Sequence, residues 1–165
     1  MPVSGSPLNA YTTLAEAKAY LASDSRATAF LLLTDADMSV YLNRATLAID
    51  SQKLRGTKYD TSFTDGLPTQ AHEFPRIING TILNYHEEQG LAFVPADVQT
   101  ACIEEALELY RAGTGGRKLL QEQGVTQFSL PGMVSESFEA GLSNRTLFSA
   151  TARQIMRRYT GARMR

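Results

Sequence analysis

The sequence predicts a mainly α protein, a small bundle of about four helices with a short β-hairpin and a long irregular loop between the second and third long helices. Three observations carry that expectation. Apolar residues recur at helical spacing in four separate stretches, three of them opened by a capping residue or a proline. Two short runs rich in Val, Phe and Ser flank Pro131-Gly132. Gly56, Gly66, Pro68, Pro75, Gly80 and Gly90 break up residues 54–94, which read as a long irregular segment. At 165 residues the chain has the length of one domain, and its 43% apolar content is enough for a core.

Residues 1–10 hold no patterned stretch and read as a flexible arm. The first helix is expected to open at Thr13, because Thr13 and Glu16 have capping-box spacing, and to run through Ala17 and Tyr20 to about Ala22. The second covers about 35–52. Thr34 can cap it, Asp35 and Asp37 suit the positive end of its dipole, and Met38, Tyr41, Leu42, Ala45, Ala48 and Ile49 form its stripe.

The third helix starts at Pro95, where a missing N–H costs least, and runs to about Arg111 with Gly113 as C-cap. Val98, Ala101, Cys102, Ala106, Leu109 and Tyr110 form its apolar stripe, which leaves Glu104, Glu105 and Glu108 to project from its other faces. The hairpin is expected over 125–138. The fourth helix spans about 144–159, with Phe148, Ala152, Ile155 and Tyr159 on one side and Arg153 and Arg157 nearly opposite. The loop of residues 54–94 contains Tyr59, Phe63, Phe74, Tyr85 and Phe93, so it should pack against the helices, with a short helix possible over 82–89.

Composition excludes several classes. One cysteine cannot form an internal disulfide, and two histidines cannot build a histidine-rich metal site. The longest apolar run, five residues at 29–33, falls far short of the roughly twenty that span a bilayer, so no membrane partner is expected. Met1 to Asn9 has neither the basic nor the apolar stretch of a secretory signal or presequence.

A search for catalytic chemistry ends without an active site, so no catalytic residue, cofactor or metal is assigned. Cys102 lies on an apolar stripe, where a small buried hydrophobe is the simpler reading than a nucleophile. His86-Glu87-Glu88 reads as a solvated face, since the other histidine is fourteen residues away. Gly113-Thr114-Gly115-Gly116-Arg117-Lys118 lacks the Gly-Lys-Ser/Thr core of a phosphate loop. Ser135 stands outside any nucleophile elbow, and the sequons at Asn79 and Asn144 read as chance matches.

Charge is balanced overall, at −1 net, but not along the chain. Residues 77–110 hold six carboxylates (Glu87, Glu88, Asp97, Glu104, Glu105, Glu108) and no Lys or Arg. Residues 143–165 hold six arginines (Arg145, Arg153, Arg157, Arg158, Arg163, Arg165) and no Asp or Glu. The basic segment can be a solvated helix end, a surface that docks on an acidic protein face, or a contact for DNA phosphates.

Taken in order, a series of landmarks resembles the tailed-phage head-tail connector (adaptor) family, whose profile neighbours are labelled DnaT-like single-stranded-DNA-binding proteins. The series runs from Tyr11, Ala15-Glu16-Ala17 and Tyr20 through Leu47-Ala48-Ile49-Asp50, Gly56, Gln70 and Phe74-Pro75-Arg76. It continues with Val94-Pro95, the Glu104-Glu105-Ala106 helix, Gly124-Val125, residues 132–138 and the closing basic helix.

That resemblance implies a structural subunit, made in a bacterial host's cytoplasm and located in the virion neck, with an adaptor domain at 11–142 and a basic helix and tail at 143–165. It implies a homo-oligomeric ring of about twelve copies that meets the portal protein and a neck or tail-completion protein, while DNA passes its lumen without specific binding. Arg153, Arg157, Arg158, Arg163 and Arg165 would then dock on the portal. Glu104, Glu105 and Glu108 would form an acidic face between subunits, and Gln70, Phe74, Pro75 and Arg76 would supply loop contacts. The alternatives are a single-stranded-DNA-binding module or another neck or tail-completion subunit.

Overall fold

A computed structural model of the chain describes residues 10–64, 67–68, 70–114, 127–130, 134–137 and 147–161. Helix α1 is Leu14–Leu21, opened by the expected box: Thr13 Oγ1 accepts from the Glu16 N–H, and the Glu16 carboxylate accepts from the Thr13 N–H at 2.8 Å. A 3₁₀ turn, Ser25–Ala27, leads into the short α2, Thr28–Leu31. Helix α3 is Asp35–Asp50 and is capped by Thr34, whose Oγ1 accepts from the Asp37 N–H.

Helix α4, Ala96–Thr114, begins just after Pro95 and runs through Gly113, which therefore is not its cap. Helix α5, Ala150–Met156, is shorter than the expected fourth helix because Ser149 starts it, with Oγ accepting from the Ala152 N–H at 3.1 Å. Phe148 precedes the helix and is exposed, off the predicted stripe.

Helix α4 packs against both α3 and α5. Met38, Leu42 and Ile49 from α3, Val98, Cys102 and Leu107 from α4, and Ala152 and Met156 from α5 are buried in one core with Tyr11, Leu21 and Phe30. Seven consecutive α4 residues, 101–107, are buried, so this helix has no open face over two turns.

The expected four-helix bundle with an irregular 54–94 loop is corrected by what that loop contains. Strands β1 (Thr57–Lys58), β4 (Arg76–Ile78) and β5 (Thr81–Ile82) form a three-stranded antiparallel sheet, ordered β1-β4-β5. Strands β2 (Phe63–Thr64) and β3 (Leu67–Pro68) pair antiparallel, as do β6 (Tyr85–His86) and β7 (Leu91–Ala92). The helix entertained over 82–89 is replaced by β5, a turn and β6. Asn79, Gly80, Asn84 and Gly90 all adopt positive φ, which reverses the chain every few residues and leaves no length for a helix. The protein is therefore a mixed helix and sheet fold. The hairpin within 125–138 is present as β8 (Gln127–Leu130) paired with β9 (Val134–Ser137).

Of the residues named as loop contacts, Gln70, Phe74 and Arg76 are buried and Pro75 is half-buried. Gln70 accepts from the Asp60 N–H and donates to the carbonyls of His72 and Pro75, all at 2.9 Å. Phe74 is buried edge-on against Tyr11 and Tyr159, and a cis peptide joins it to Pro75. Arg76 is buried. Its Nε donates to the Arg55 carbonyl at 2.9 Å, its Nη2 to the Gly56 carbonyl at 2.7 Å, and its Nη1 pairs with Glu73. Tyr11 ties the chain start to this segment. Its hydroxyl donates to Asp50 and accepts from the Phe74 N–H at 3.1 Å, while the other Asp50 oxygen meets His72 Nδ1 at 2.8 Å.

Two outcomes follow from this packing. At Gly56, φ is +74° and an added Cβ would stand 1.9 Å from the Ile77 carbonyl oxygen, so Gly56→Ala should cost about 2 kcal/mol or more in a denaturant titration. Cys102 is fully buried, and burial pushes its thiol up to about 12. The native protein should therefore resist iodoacetamide at about pH 8 and react only when unfolded. The neutral thiol's contribution to stability is present below the usual thiol range near ~8.5 and is lost as pH climbs toward 12.

Candidate nucleic-acid interface

Two chain segments far apart in sequence meet at the C-terminal ends of α3 and α5. Leu54 and Thr160 form an antiparallel bridge. The Arg55 N–H donates to the Tyr159 carbonyl at 2.7 Å, and the Gly161 N–H donates to the Lys53 carbonyl at 3.3 Å. This bridge lays the backbone of Lys53 and Arg55 against Gly161 and Tyr159, just past Arg157 and Arg158, with Arg153 one turn back on α5. All five side chains are exposed. Arg158 pairs with Asp97 at 3.3 Å, an exposed contact that holds it only weakly. Lys53, Arg55, Arg153 and Arg157 have no carboxylate partner among the described residues.

Three interactions fix α5 in place. The carboxylate of Glu105, buried in α4, accepts from the N–H groups of Phe148 and Ser149 at 2.9 and 2.8 Å, at the positive end of α5. At the other end the Tyr159 hydroxyl donates to Asp97 at 2.7 Å; burial, together with that carboxylate, pushes the phenol above its usual range. The Tyr159 ring also packs edge-on against Phe74 at 5.2 Å.

A short stretch of chain links the cationic end to a group of rings. From Arg55 the chain continues through β1 to Tyr59, four residues that cover at most ~14 Å, and the Tyr59 ring lies 6.4 Å from that of Tyr85 on β6. On the other face of the β6-β7 ribbon, His86 sits edge-on to Phe93 at 4.9 Å. Tyr85 and Phe93 are 41% and 40% exposed, unlike the buried Phe74. The ribbon is anchored by the Phe93 N–H to the Asn84 carbonyl at 3.0 Å and by Asn84 Nδ2 to the Val94 carbonyl at 3.2 Å.

The predicted acidic face does not form. Glu104 is 3% exposed and accepts from the Tyr20 hydroxyl at 3.0 Å, with Arg26 alongside at 3.4 Å. Glu105 is 0% exposed and serves α5, and Glu108 is half-buried and pairs with Arg111 at 2.7 Å. Glu104 and Glu105 project into the molecule because α4 is surrounded over residues 101–107. Of the five arginines assigned to docking, Arg153, Arg157 and Arg158 are on the cationic end, and Arg163 and Arg165 lie outside the described residues. Lys53, Arg55, Tyr85 and Phe93 were not singled out from the sequence as a site. The one available signal was the basic pair Lys53 and Arg55 just after a helix, in a stretch followed by aromatics.

Among the described residues, no three His, Cys, Asp or Glu side chains converge on a metal-sized site, and no helix is long and apolar enough to cross a membrane. The geometry is that of a small mixed helix and sheet domain with a cationic end and exposed rings. The chain belongs to the family described as "Putative DnaT-like ssDNA binding protein", which matches residues 4–165. That match overturns the resemblance to head-tail connectors, and the ring, portal and neck partners implied by that resemblance alone lose their support. No curated protein and no solved structure matches the chain.

Replacing Glu105 by Ala should strip two N–H groups of their acceptor and cost about 2 to 4 kcal/mol in chemical denaturation. Protection of the α5 amides in hydrogen exchange should fall more than that of α3, since the loss is local to the start of α5.

Proposed function

We propose that this protein binds single-stranded DNA through the cationic end built by Lys53, Arg55, Arg153, Arg157 and Arg158, as a binding module without catalysis. The observation that supports the reading is the Leu54–Thr160 bridge, which joins the exposed Lys53 and Arg55 segment to the arginine-bearing end of α5, in a member of a DnaT-like family. The phosphate backbone supplies the attraction, because each neutralised phosphate releases a condensed counterion. A formal net charge of −1 does not oppose this, since the field that a strand meets is set by local charge. Arg153 and Arg157, one helical turn apart, present two donor forks on one face.

Fluorescence anisotropy with a labelled oligo-dT across a salt series tests the reading. Binding should be measurable at ~50 mM salt and weaken steadily as salt rises. The double variant R153A/R157A should bind less tightly and flatten the slope of log K against log salt by about 1.4, at about 0.7 per lost contact on a single strand. No binding at low salt, or an unchanged slope in the variant, refutes it.

A further inference from the structure

We infer that the β6-β7 ribbon is a base-stacking finger, on which Tyr85 and Phe93 each receive an unpaired base from a strand whose phosphates lie on the cationic end. The inference rests on the single-strand reading above and names how unpaired bases would be recognised.

The ribbon presents rings on both faces. Tyr85 points to one, backed by Tyr59; His86 and Phe93 share the other. About two fifths of both Tyr85 and Phe93 remains open to solvent, although burying an aromatic ring is among the largest gains available to a fold. Neither belongs to the core or to the partly buried residues packed against it. The finger is held still rather than hanging free. The Leu83 N–H donates to the Arg76 carbonyl at 2.9 Å, so the turn before β6 is tied to β4, and Asn84 ties it to the chain entering α4. A pre-positioned ring loses little freedom when a base stacks on it.

The occupant follows from charge. A second apolar protein surface has no need of the neighbouring cations. An unpaired strand needs both, because its bases offer flat apolar faces and its phosphates offer negative charge a few ångströms away. The link through Arg55 and Tyr59 places the two features within a few nucleotides of each other. Glu87 and Glu88, exposed at the ribbon's tip, repel phosphates there and leave the backbone to run on the Arg55 side. In a duplex the base faces are already stacked on each other, so the finger gains nothing from it.

The test compares oligo-dT with an abasic oligonucleotide carrying the same number of phosphates. The proteins are wild type, Y85A/F93A, Y85L/F93L and R153A/R157A, each checked for unchanged folding by circular dichroism. Wild type should prefer oligo-dT by about tenfold or more. Y85A/F93A should lose that preference while binding the abasic strand like wild type, with the same salt slope. Y85L/F93L, which keeps apolar bulk without a ring face, should behave as the alanine pair does. R153A/R157A should weaken binding to both strands and keep the preference. If wild type binds both strands equally, or the ring variants keep the preference, the finger is refuted and the single-strand reading stands. If wild type binds neither strand, that reading fails and the finger fails with it.

Discussion

The arrangement of the molecule depends on a carboxylate with no access to water. Glu105 sits in the middle of a helix that neighbours surround, and an ionised side chain there is tolerable only if hydrogen bonds replace its hydration. The N–H groups of Phe148 and Ser149 supply two of them, at the end of α5 where partial positive charge collects. The same contact therefore satisfies a buried carboxyl, holds the Ser149 cap of a helix of seven residues too short to be stable alone, and fixes where that helix starts. Everything at the cationic end follows from that placement. The Leu54–Thr160 bridge forms because α5 delivers its last turn to the end of α3.

Many of the carboxylates are used inside. Glu104 and Glu105 serve α4 and its neighbours, Asp50 receives Tyr11 and His72, Glu73 holds Arg76, and Asp97 holds Tyr159. Lys53, Arg55, Arg153 and Arg157 have no such partner among the described residues. A nearly neutral composition thus yields a surface with a positive region, because folding withdraws negative charge into hydrogen bonds and leaves arginines in solvent. Formal net charge, which counts both alike, carries no sign of this.

What the sequence disclosed and what it hid divide by range. The Thr13 box, the Thr34 cap, the stripe of α3 and the Pro95 start of α4 are interactions within four residues, and each appears at the expected position. Strands of two or three residues are too short to show alternation, so 54–94 read as a loop although Asn79-Gly80 and Gly90 were turns in waiting. Glu104 and Glu105 read as solvent-facing because a single apolar stripe on α4 leaves them on other faces, and only the packing of α3 and α5 around α4 encloses those faces too. Phe74 and Phe93 are the same residue type in the same segment. Only the fold decides that one is packed between two tyrosines and the other stands in solvent.

The number of available cations also bears on how such a site can work. Four or five phosphate contacts give an attraction that falls steeply with salt, since every contact depends on counterion release. Stacking of bases on rings involves no counterion and keeps its strength at physiological ionic strength. With only a few unpaired cations among the described residues, a strand-binding site of the kind proposed would gain more salt-resistant affinity from two exposed rings than from two further arginines, and would take its preference from them. Arginines attract any polyanion, duplex included, whereas an exposed tyrosine or phenylalanine distinguishes a strand whose base faces are free.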